Sequence, residues 1–482
     1  MTGRVDKEGS LSIVVLGASG DLALRKIFPA LFSLYCQGFL PADFNVFGFA
    51  RSSFDAETFR AHIATHLTCR YTPEHSCADL VRGFLARCHY VPGSYTSRDS
   101  FLDLYSAMKG VEGRRKVDRL FYMAVPSAVF VETARAIGGA GMSGCDDQSG
   151  WTRVVMEKPF GSDRETSDVM VRELAKVFPE KQTFRIDHYL GKEVVQNLMV
   201  LRFANTVFEP IWSGKFIERV DVNWKENIGV GSRGGYFDSY GIIRDVVQNH
   251  LLQILSLVAM ERPRDIQPCN VRDAKVGVLR SIAPVALRDM VLGQYSAGRG
   301  GGTSFPAYRA EPGVGRESIT PTFASCVLRI DNDRWRGVPF VVTAGKGTSE
   351  ALSEVRIKFR EVGANIFCRN GQCPAANEFV IRIQPDEALI LRITNKEPGL
   401  DVNLVETDLN LKYRSTFARK IPDAYECLLL DVISGDRSLF ISQEELAASW
   451  DIFTPVLHEI DSGAIAPRFY DFGSAGPAPA LA

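Results

Sequence analysis

"LSIVVLGASGDLA", residues 11–23, joins an apolar run rich in β-branched residues to a turn and then to the beginning of a helical pattern. A short apolar run of this kind is typical of a parallel strand that is buried on both faces. Gly17 permits a tight turn, and Gly20 lets the backbone approach a pyrophosphate at the N-terminus of the following helix. The spacing is G-x-x-G, which also occurs in ordinary strand–helix turns, so the strand–turn–helix context carries the prediction of a dinucleotide site.

Further strand-like runs follow, and helical stretches separate most of them. These runs are "FNVFGFA" (44–50), "CHYVPG" (88–93), "VDRLFYMAV" (117–125), "TRVVME" (152–157) and "TFRID" (183–187). Alternating strands and helices predict a doubly wound parallel sheet that ends near Asp187. Pro29 lies inside the first helical pattern, where we expect it to kink or break the helix.

The pattern changes after residue 200, where long runs with a period of two predominate. They are "ERVDVNWKEN" (218–227), "TFASCVLRIDN" (322–332), "PFVVTAG" (339–345), "SEVRIKFREV" (353–362), "EFVIRIQP" (378–385) and "ALILRIT" (388–394). They predict a large, mainly antiparallel sheet. One long helical pattern covers residues 238–260, and the glycine-rich residues 297–305 are expected to form a mobile loop.

Length and composition favour two globular domains in one chain. A chain of 482 residues exceeds what one hydrophobic core usually supports, so we expect an α/β domain over residues 1–187 and an α+β domain over residues 188–482. The net charge of −1 gives no sign of a nucleic-acid or membrane partner. The sequence contains no transmembrane pattern, and its polar first ten residues do not resemble a secretory signal. We therefore expect a cytoplasmic protein.

The ten cysteines are scattered and never form a C-x-x-C pair, which favours reduced thiols. "HIATHLTC" (62–69) places His62, His66 and Cys69 at helical spacing, and an i, i+4 pair can hold a metal. However, the stretch lacks the paired cysteines of a structural zinc site. An ordinary helix and loop is the preferred interpretation, and no metal is expected.

The end of the second predicted strand distinguishes between two nicotinamide cofactors. An NAD site favours an acidic residue there, to bind the ribose 2′-hydroxyl. This chain has Arg51, followed by two serines. A guanidinium suits the 2′-phosphate of NADP, although a solvated loop arginine would look the same in sequence. The pattern favours NADP over NAD.

Two polar stretches end neighbouring strands of the predicted parallel sheet. "MEKPFG" (156–161) places Lys158 at the cofactor crevice, next to a proline that is compatible with a cis peptide. "RIDHYLGKE" (185–193) supplies an imidazole, a hydroxyl and an ammonium from His188, Tyr189 and Lys192, a set that suits a phosphate dianion. Asp187 does not suit a phosphate, and we expect it to face a histidine instead.

The long helical pattern supplies a histidine of that kind. Asp245 and His250 are polar residues in an otherwise apolar segment, and on an α-helix they would lie about 140° apart. We expect Asp187 to hold His250 in one tautomer, as an acid does for a catalytic imidazole. A core histidine bonded to a backbone carbonyl is the alternative.

These stretches together resemble the glucose-6-phosphate dehydrogenase family over nearly the whole chain. The resemblance extends from "GASGDLA" through "EKPFG", "RIDHYLGKE", "RGGYFDSYGIIRDVVQNHLLQ" and "ERPRD" to "VIRIQP" and "IPDAYECLLLDV". It implies a Rossmann-like N-terminal domain, an α+β C-terminal domain that forms dimers or tetramers, and NADP as the cofactor. The implied activity is oxidation of glucose 6-phosphate to the 6-phosphoglucono-δ-lactone, the first step of the oxidative pentose phosphate pathway.

The resemblance also implies residue roles. His250 would be the general base, with Asp187 as its orienting partner. The implied substrate-binding residues are Lys158, His188, Tyr189, Lys192, Glu226, Asp245, Lys346 and Gln384. The implied cofactor-binding residues are Gly17, Ser19, Gly20, Asp21, Leu22, Lys26, Arg51 and Lys158. A histidine with an ordinary pKa near 6.5 is suited to accept the proton of the C1 hydroxyl.

One departure from the family concerns a second, structural NADP that some animal members hold. Arg356, Arg382 and Arg392 remain from its basic cluster. Other expected basic or aromatic positions carry Thr343, Leu352, Ile390 and Ala475. We therefore expect this second site to be absent or weak. Two other functions stay open at this stage: an NADP-dependent dehydrogenase of another sugar, and a non-catalytic NADP-binding scaffold.

Overall fold

The computed structural model describes residues 9–71, 74–144, 150–300, 302–368 and 372–480. Its contacts divide the chain into two compact units. The first unit contains Met1–Gly191, Arg264–Arg272 and Pro422–Leu446, and the second contains Lys192–Pro263, Asp273–Ile421 and Ala447–Ala482. The contacts therefore place residues 188–191 and two later segments with the first unit. The functional boundary that we expect after Asp187 stays a prediction.

The first unit is built on a six-stranded sheet. Its strands are β1 (Ser10–Leu16), β2 (Asp43–Ala50), β3 (Cys88–Pro92), β4 (Asp118–Met123), β5 (Thr152–Met156) and β6 (Thr183–Arg185). All neighbours are parallel, in the order β3-β2-β1-β4-β5-β6. This is the strand order of a doubly wound dinucleotide fold, as the sequence predicts. The crossover point between β1 and β4 places the glycine turn at the crevice edge.

Helices connect these strands. They are α1 (Phe28–Cys36), α2 (Ala56–Ala64), α3 (Glu74–Ala86), α4 (Arg98–Glu112), α5 (Phe130–Gly139) and α6 (Arg164–Ala175). A π-helical segment, Ala23–Ile27, precedes α1. Pro29 lies in the first turn of α1, where its missing N–H breaks no bond within that helix. In place of the kink or break expected at Pro29, the helix changes from π to α geometry between Ile27 and Phe28.

The second unit contains a nine-stranded sheet and a two-stranded hairpin. Its strands are β7 (Ile217–Lys225), β8 (Met290–Ser296), β9 (Gly298–Gly300), β10 (Thr303–Phe305), β11 (Phe323–Arg329), β12 (Pro339–Gly345), β13 (Leu352–Phe359), β14 (Glu378–Gln384), β15 (Ala388–Lys396), β16 (Leu404–Lys412) and β17 (Arg468–Asp471). The large sheet has the order β16-β15-β14-β13-β7-β12-β11-β8-β17. Among the described residues, the pairs β7–β12 and β8–β17 are its only parallel ones, so the prediction of a mainly antiparallel sheet is confirmed.

The glycine-rich stretch at residues 297–305 differs from the expected loop. Strands β9 and β10 pair antiparallel across it, and residue 301 lies outside the described residues. The ring of Phe305 stacks on Phe472, with centroids 4.2 Å apart. A Cβ on Gly298 would lie 2.2 Å from the Phe472 carbonyl oxygen, so the glycine permits this close approach.

Helices α7 (Glu193–Phe203), α8 (Gly234–Ile242), α9 (Leu252–Ala259), α10 (Pro268–Arg280) and α11 (Tyr413–Thr416) follow in the chain. The long helical pattern at residues 238–260 is not one continuous α-helix. It contains the end of α8, a π-helical segment Ile243–Leu251 and α9, and Gly241 takes a φ of 68° at the kink. Residues 238–259 are helical nearly as predicted, but residues 243–251 are π-helical and not α-helical.

Two further helices lie near the C-terminal end of the chain: α12 (Ala424–Ser434) and α13 (Gln443–Asp461). Although α12 is distant in sequence, it packs its Tyr425, Leu428, Leu429 and Val432 side chains into the core of the first unit. Within the described ranges, no helix combines the length and the apolar composition that crossing a bilayer requires.

Four of the described cysteines form disulfides, so the expectation of reduced thiols is wrong for them. Cys69 bonds to Cys77, and Cys368 bonds to Cys373, with Cα atoms 5.8 and 4.2 Å apart. The Cys69 sulfur is therefore not a thiolate ligand for a metal. His66 of the same stretch directs Nδ1 towards the Thr65 hydroxyl at 2.9 Å, as in an ordinary helix end.

Candidate active site

The turn after β1 has the geometry that a dinucleotide pyrophosphate needs. Gly17 takes a φ of 83°, and a Cβ there would lie 2.2 Å from the Ala124 carbonyl oxygen, so a larger residue does not fit. The Gly20 amide donates to the Gly17 carbonyl at 2.9 Å, and the Leu24 amide donates to Gly20 at 3.0 Å. The turn therefore leads directly into a helix N-terminus at the carboxyl end of β1.

Hydroxyl and charged side chains surround this turn. The Ser19 hydroxyl lies 3.0 Å from that of Ser52, which links the turn to the residues after β2. Asp21 forms an exposed ion pair with Arg25 at 2.5 Å. Lys26 forms another with Asp423 at 3.2 Å. Exposed pairs of this kind contribute little to stability. These side chains can therefore exchange their partners for a ligand at little energetic cost, whereas the partly buried Leu22 packs against the core.

Arg51 follows β2 at the same edge of the sheet. Its side chain is exposed, and its guanidinium lies 5.6 Å from the ring centroid of Tyr95. It stands immediately before Ser52, whose hydroxyl contacts Ser19. A fixed cation and two hydroxyl groups at the end of β2 suit a ribose 2′-phosphate. The glycine turn and this donor set therefore fit NADP.

The ends of β5 and β6 bring the "EKP" and "RIDHYLGKE" stretches together. The Ile186 amide donates to the Met156 carbonyl at 2.9 Å, which continues the parallel ladder beyond β6. Lys158 is partly buried, and its peptide bond to Pro159 is cis. Burial raises the pKa of the Glu157 carboxyl; the nearby Lys158 ammonium lowers it and the Asp187 carboxylate raises it further. The predicted neighbourhood of Lys158 and Asp187 is therefore present in the first unit.

Asp187 begins a compact turn that presents His188. Asp187 is 1% exposed, and its Oδ1 accepts a hydrogen bond of 3.0 Å from the Tyr189 amide. The Leu190 amide donates to the Asp187 carbonyl at 3.0 Å. Tyr189 is buried, whereas the His188 imidazole is only partly covered. The turn holds a buried carboxylate and an accessible imidazole on adjacent residues.

In the second unit, the π-helical segment changes how Asp245 and His250 relate to each other. Hydrogen bonds from residue i+5 to residue i place side chains five positions apart on successive turns of one face. The separation of about 140° that we predicted for an α-helix is therefore wrong. His250 is 3% exposed and Asp245 is partly covered. π-helical segments are frequent at functional sites, and this one places an acid and an imidazole on the same side.

Bonds on both sides of the π-helical segment fix it in place. The Gln248 amide donates to the Ser449 hydroxyl at 2.9 Å, and Arg244 forms two hydrogen bonds to Asp461, at 2.6 and 3.2 Å.

Downstream, buried side chains cap the last carbonyls of α9. These donor–acceptor pairs are Arg202 to Leu257 at 3.0 Å, Trp212 to Val258 at 2.8 Å, and Trp335 to Ala259 at 2.7 Å. They satisfy carbonyls that the helix itself leaves open.

Other predicted substrate residues also meet in the second unit. Lys346 Nζ donates to Glu226 Oε2 at 2.7 Å and lies 5.1 Å from the ring centroid of Trp224. Burial raises the pKa of the Glu387 carboxyl, and the ammonium of Lys192, which immediately precedes α7, partly offsets this rise. Glu387 follows the exposed Gln384 by three residues. Lys192 therefore acts on the turn that follows β14.

One feature of the first unit is not predicted from the sequence. Two buried tyrosines, Tyr122 of β4 and Tyr425 of α12, are hydrogen-bonded to Glu157. Glu157 stood in the quoted "EKPFG" stretch, and Tyr425 in "IPDAYECLLLDV", but no role was assigned to either. The available signal was the carboxylate immediately before Lys158 at a strand end.

Comparison with known proteins agrees with this geometry. The model of the glucose-6-phosphate dehydrogenase NAD binding domain matches residues 14–197, and that of the C-terminal domain matches residues 199–482. The chain is 49% identical over 473 residues to "Glucose-6-phosphate 1-dehydrogenase 1, chloroplastic" of Arabidopsis thaliana, covering 98% of this chain and 81% of that protein. It is 46% identical to the cytoplasmic form 5 of the same plant, covering 99% of this chain and 91% of that one.

A solved structure supports the same assignment. A glucose-6-phosphate dehydrogenase in complex with its substrate glucose-6-phosphate superposes with a TM-score of 0.91 at 40% identity, covering 99% of this chain and 97% of that one. The enzyme from Mycobacterium avium gives a TM-score of 0.80 at 29% identity, covering 97% and 96%. The chain therefore belongs to the glucose-6-phosphate dehydrogenase family.

Proposed function

We propose that the protein oxidises D-glucose 6-phosphate to 6-phospho-D-glucono-1,5-lactone with reduction of NADP to NADPH, the first step of the oxidative pentose phosphate pathway. The observation that carries the proposal is the complete "RIDHYLGKE" turn, with its buried Asp187 and accessible His188, in a chain of this family. Of the other residues proposed to bind substrate, Lys158 belongs to the first unit, and Glu226, Asp245, Lys346 and Gln384 belong to the second.

In the proposed reaction, His250 accepts the proton of the C1 hydroxyl and Asp187 fixes the tautomer of the His250 ring. An ordinary imidazole pKa lies close to physiological pH, which suits a general base. The bound nicotinamide supplies the acceptor for the hydride that leaves C1. His188, Tyr189, Lys192 and Lys346 bind the phosphate, and Lys158, Glu226, Asp245 and Gln384 position the sugar.

The cofactor is held by the glycine turn and by the end of β2. Gly17 and Gly20 admit the pyrophosphate, Ser19, Asp21, Leu22 and Lys26 line the helix start, and Arg51 binds the 2′-phosphate. Lys158 contacts both substrate and cofactor. The functional division falls after Asp187, with residues 1–187 holding NADP and residues 188–482 holding the substrate and forming a homodimer or homotetramer. The proposed compartment is the cytoplasm, although the relatives include both cytoplasmic and chloroplastic proteins.

The test is absorbance at 340 nm with purified protein, comparing glucose 6-phosphate with glucose, each with NADP and with NAD. We expect turnover with glucose 6-phosphate and NADP to have the highest kcat/KM. Comparable rates with free glucose would favour a dehydrogenase of unphosphorylated sugars, because the phosphate-binding residues would then serve no purpose. NADP binding without turnover of either sugar would favour a non-catalytic scaffold.

A further inference from the structure

Glu157 accepts hydrogen bonds from two buried phenols. Tyr122 donates to its Oε1 at 2.6 Å, and Tyr425 forms the second bond. Tyr122 is fully buried and Tyr425 is 7% exposed. The two rings come from β4 and from α12, which are about 300 residues apart in sequence, so the carboxylate joins two distant parts of the first unit.

Glu157 also connects to charged residues of the proposed site. Burial raises the pKa of the Glu157 carboxyl, while the two tyrosine hydroxyls and the Lys158 ammonium lower it. The Asp187 carboxylate raises the pKa of both Glu157 and Tyr425. Hydrogen-bonded groups in a medium of low dielectric polarise and fix one another. A change at Glu157 or Tyr425 therefore acts at short range on the residues around them.

The ring of Tyr425 lies against His188. The two rings are nearly parallel, at 8°, with centroids 6.2 Å apart, which is within the range of stacked aromatic pairs. The Tyr425 amide is fixed by a 3.0 Å hydrogen bond to Asp423 at the start of α12. A Cβ on Gly191 would lie 2.5 Å from the Ala424 carbonyl oxygen, so the His188 turn and the first turn of α12 pack closely.

We propose that Tyr425 is a positioning residue for substrate binding, which holds the His188 imidazole in its phosphate-binding orientation while Glu157 anchors the Tyr425 hydroxyl. The proposal rests on the proposed function, because it takes His188 to bind the substrate phosphate. The face of Tyr425 restricts tilting of the imidazole. The hydrogen bond from the Tyr425 hydroxyl to Glu157 keeps that face in place. The Glu157 carboxylate therefore acts on the substrate through the Tyr425 ring and then the His188 ring.

Tyr425→Phe tests this directly, because it removes the anchor and keeps the ring. A lost hydrogen bond of ordinary strength corresponds to roughly a three- to tenfold weakening. We expect KM and Kd for glucose 6-phosphate to rise by that factor, with kcat within about twofold and KM for NADP unchanged. Glu157→Gln should shift the same constant in the same direction.

Tyr71→Phe is the matched control. Tyr71 donates to Glu426 Oε2 at 3.0 Å, so this variant also removes a phenol–carboxylate bond to α12, one residue from Tyr425. It should leave KM for glucose 6-phosphate unchanged. An equal rise in both tyrosine variants would show that α12 has only a structural role and would overturn the proposal.

A double-mutant cycle with His188→Ala separates positioning from stability. If Tyr425 acts through His188, Tyr425→Phe should add less than about twofold to KM in the His188→Ala background, because coupled residues do not act additively. Full additivity would overturn the proposal even if the single variants behave as expected. A wild-type protein without turnover of glucose 6-phosphate would instead contradict the proposed function, which distinguishes the two failures.

Discussion

Lys346 and Glu226 form a close ion pair, with Nζ 2.7 Å from Oε2, although the two residues are 120 positions apart in sequence. The lysine side chain is 13% exposed and the glutamate side chain 32%. The Trp224 ring lies 5.1 Å from the ammonium. The pair places a cation beside a carboxylate, and the roles proposed for them are phosphate binding for Lys346 and sugar positioning for Glu226.

Lys346→Gln should raise KM for glucose 6-phosphate by roughly 10- to 100-fold, because the phosphate loses a charge-assisted hydrogen bond. KM for NADP should not change. Lys225→Gln is the matched control, since Lys225 forms a 2.9 Å ion pair with Glu350 outside the assigned set. A similar rise in both variants would mean that the effect comes from general charge and not from phosphate binding.

Arg51→Ala should raise KM for NADP by roughly 10- to 100-fold and leave KM for NAD nearly unchanged, because only the 2′-phosphate loses its partner. Steady-state kinetics with both cofactors measures this ratio. An equal loss for NADP and NAD would show that Arg51 serves the shared part of the dinucleotide, or only the fold through its contact with Tyr95.

A second, tight NADP site should be absent. The remaining arginines face carboxylates of their own sheet: Arg356 contacts Glu354 and Glu378, Arg382 lies 3.6 Å from Glu354, and Arg392 contacts Glu378 and Asp408. A nucleotide phosphate would have to compete with these acids. Calorimetry on Arg51→Ala, in which the first site is weakened, should show no one-to-one binding at micromolar NADP, whereas a tight stoichiometric site would contradict this account.

Trp335→Phe should destabilise the fold by about 1–3 kcal/mol, because the fully buried Trp335 indole donates to the Ala259 carbonyl at 2.7 Å and phenylalanine leaves that carbonyl unpaired. Urea unfolding followed by circular dichroism measures the change. A loss below about 0.5 kcal/mol would show that the C-terminal end of α9 does not need this cap.

The parallel sheet was predictable from sequence because its strands are buried on both faces. Residues 11–16 are apolar except for Ser12 and form most of β1, and the apolar, buried residues 154–156 lie in β5. Strand β16 was overlooked, although Val405, Leu409 and Leu411 alternate with charged and polar residues in "LVETDLNLK" as in a strand. These three apolar side chains are exposed. Strand β8 carries an interior glycine, which weakens the strand pattern.

For the candidate site, the sequence predicted a set of residues but not how they are arranged. Both a π-helix and an α-helix bury an apolar stripe, so the segment around His250 did not show that Asp245 shares its face. The pairs Lys346–Glu226 and Tyr425–Glu157 depend on tertiary packing between distant segments, which local periodicity does not report. The disulfide between Cys69 and Cys77 joins residues only 8 positions apart, and it was overlooked because the scattered cysteines without a C-x-x-C pair favoured reduced thiols.

The most direct test of the central claim is the His250→Asn variant, measured for both turnover and substrate binding. If His250 is the general base, kcat should fall by roughly 10²- to 10⁴-fold, while Kd for glucose 6-phosphate by calorimetry stays within a few-fold of wild type. Circular dichroism confirms folding, since His250 is buried in the π-helical segment. A fall in kcat of less than about tenfold in a folded variant would contradict the account, because the proton of the C1 hydroxyl would then be accepted by another group.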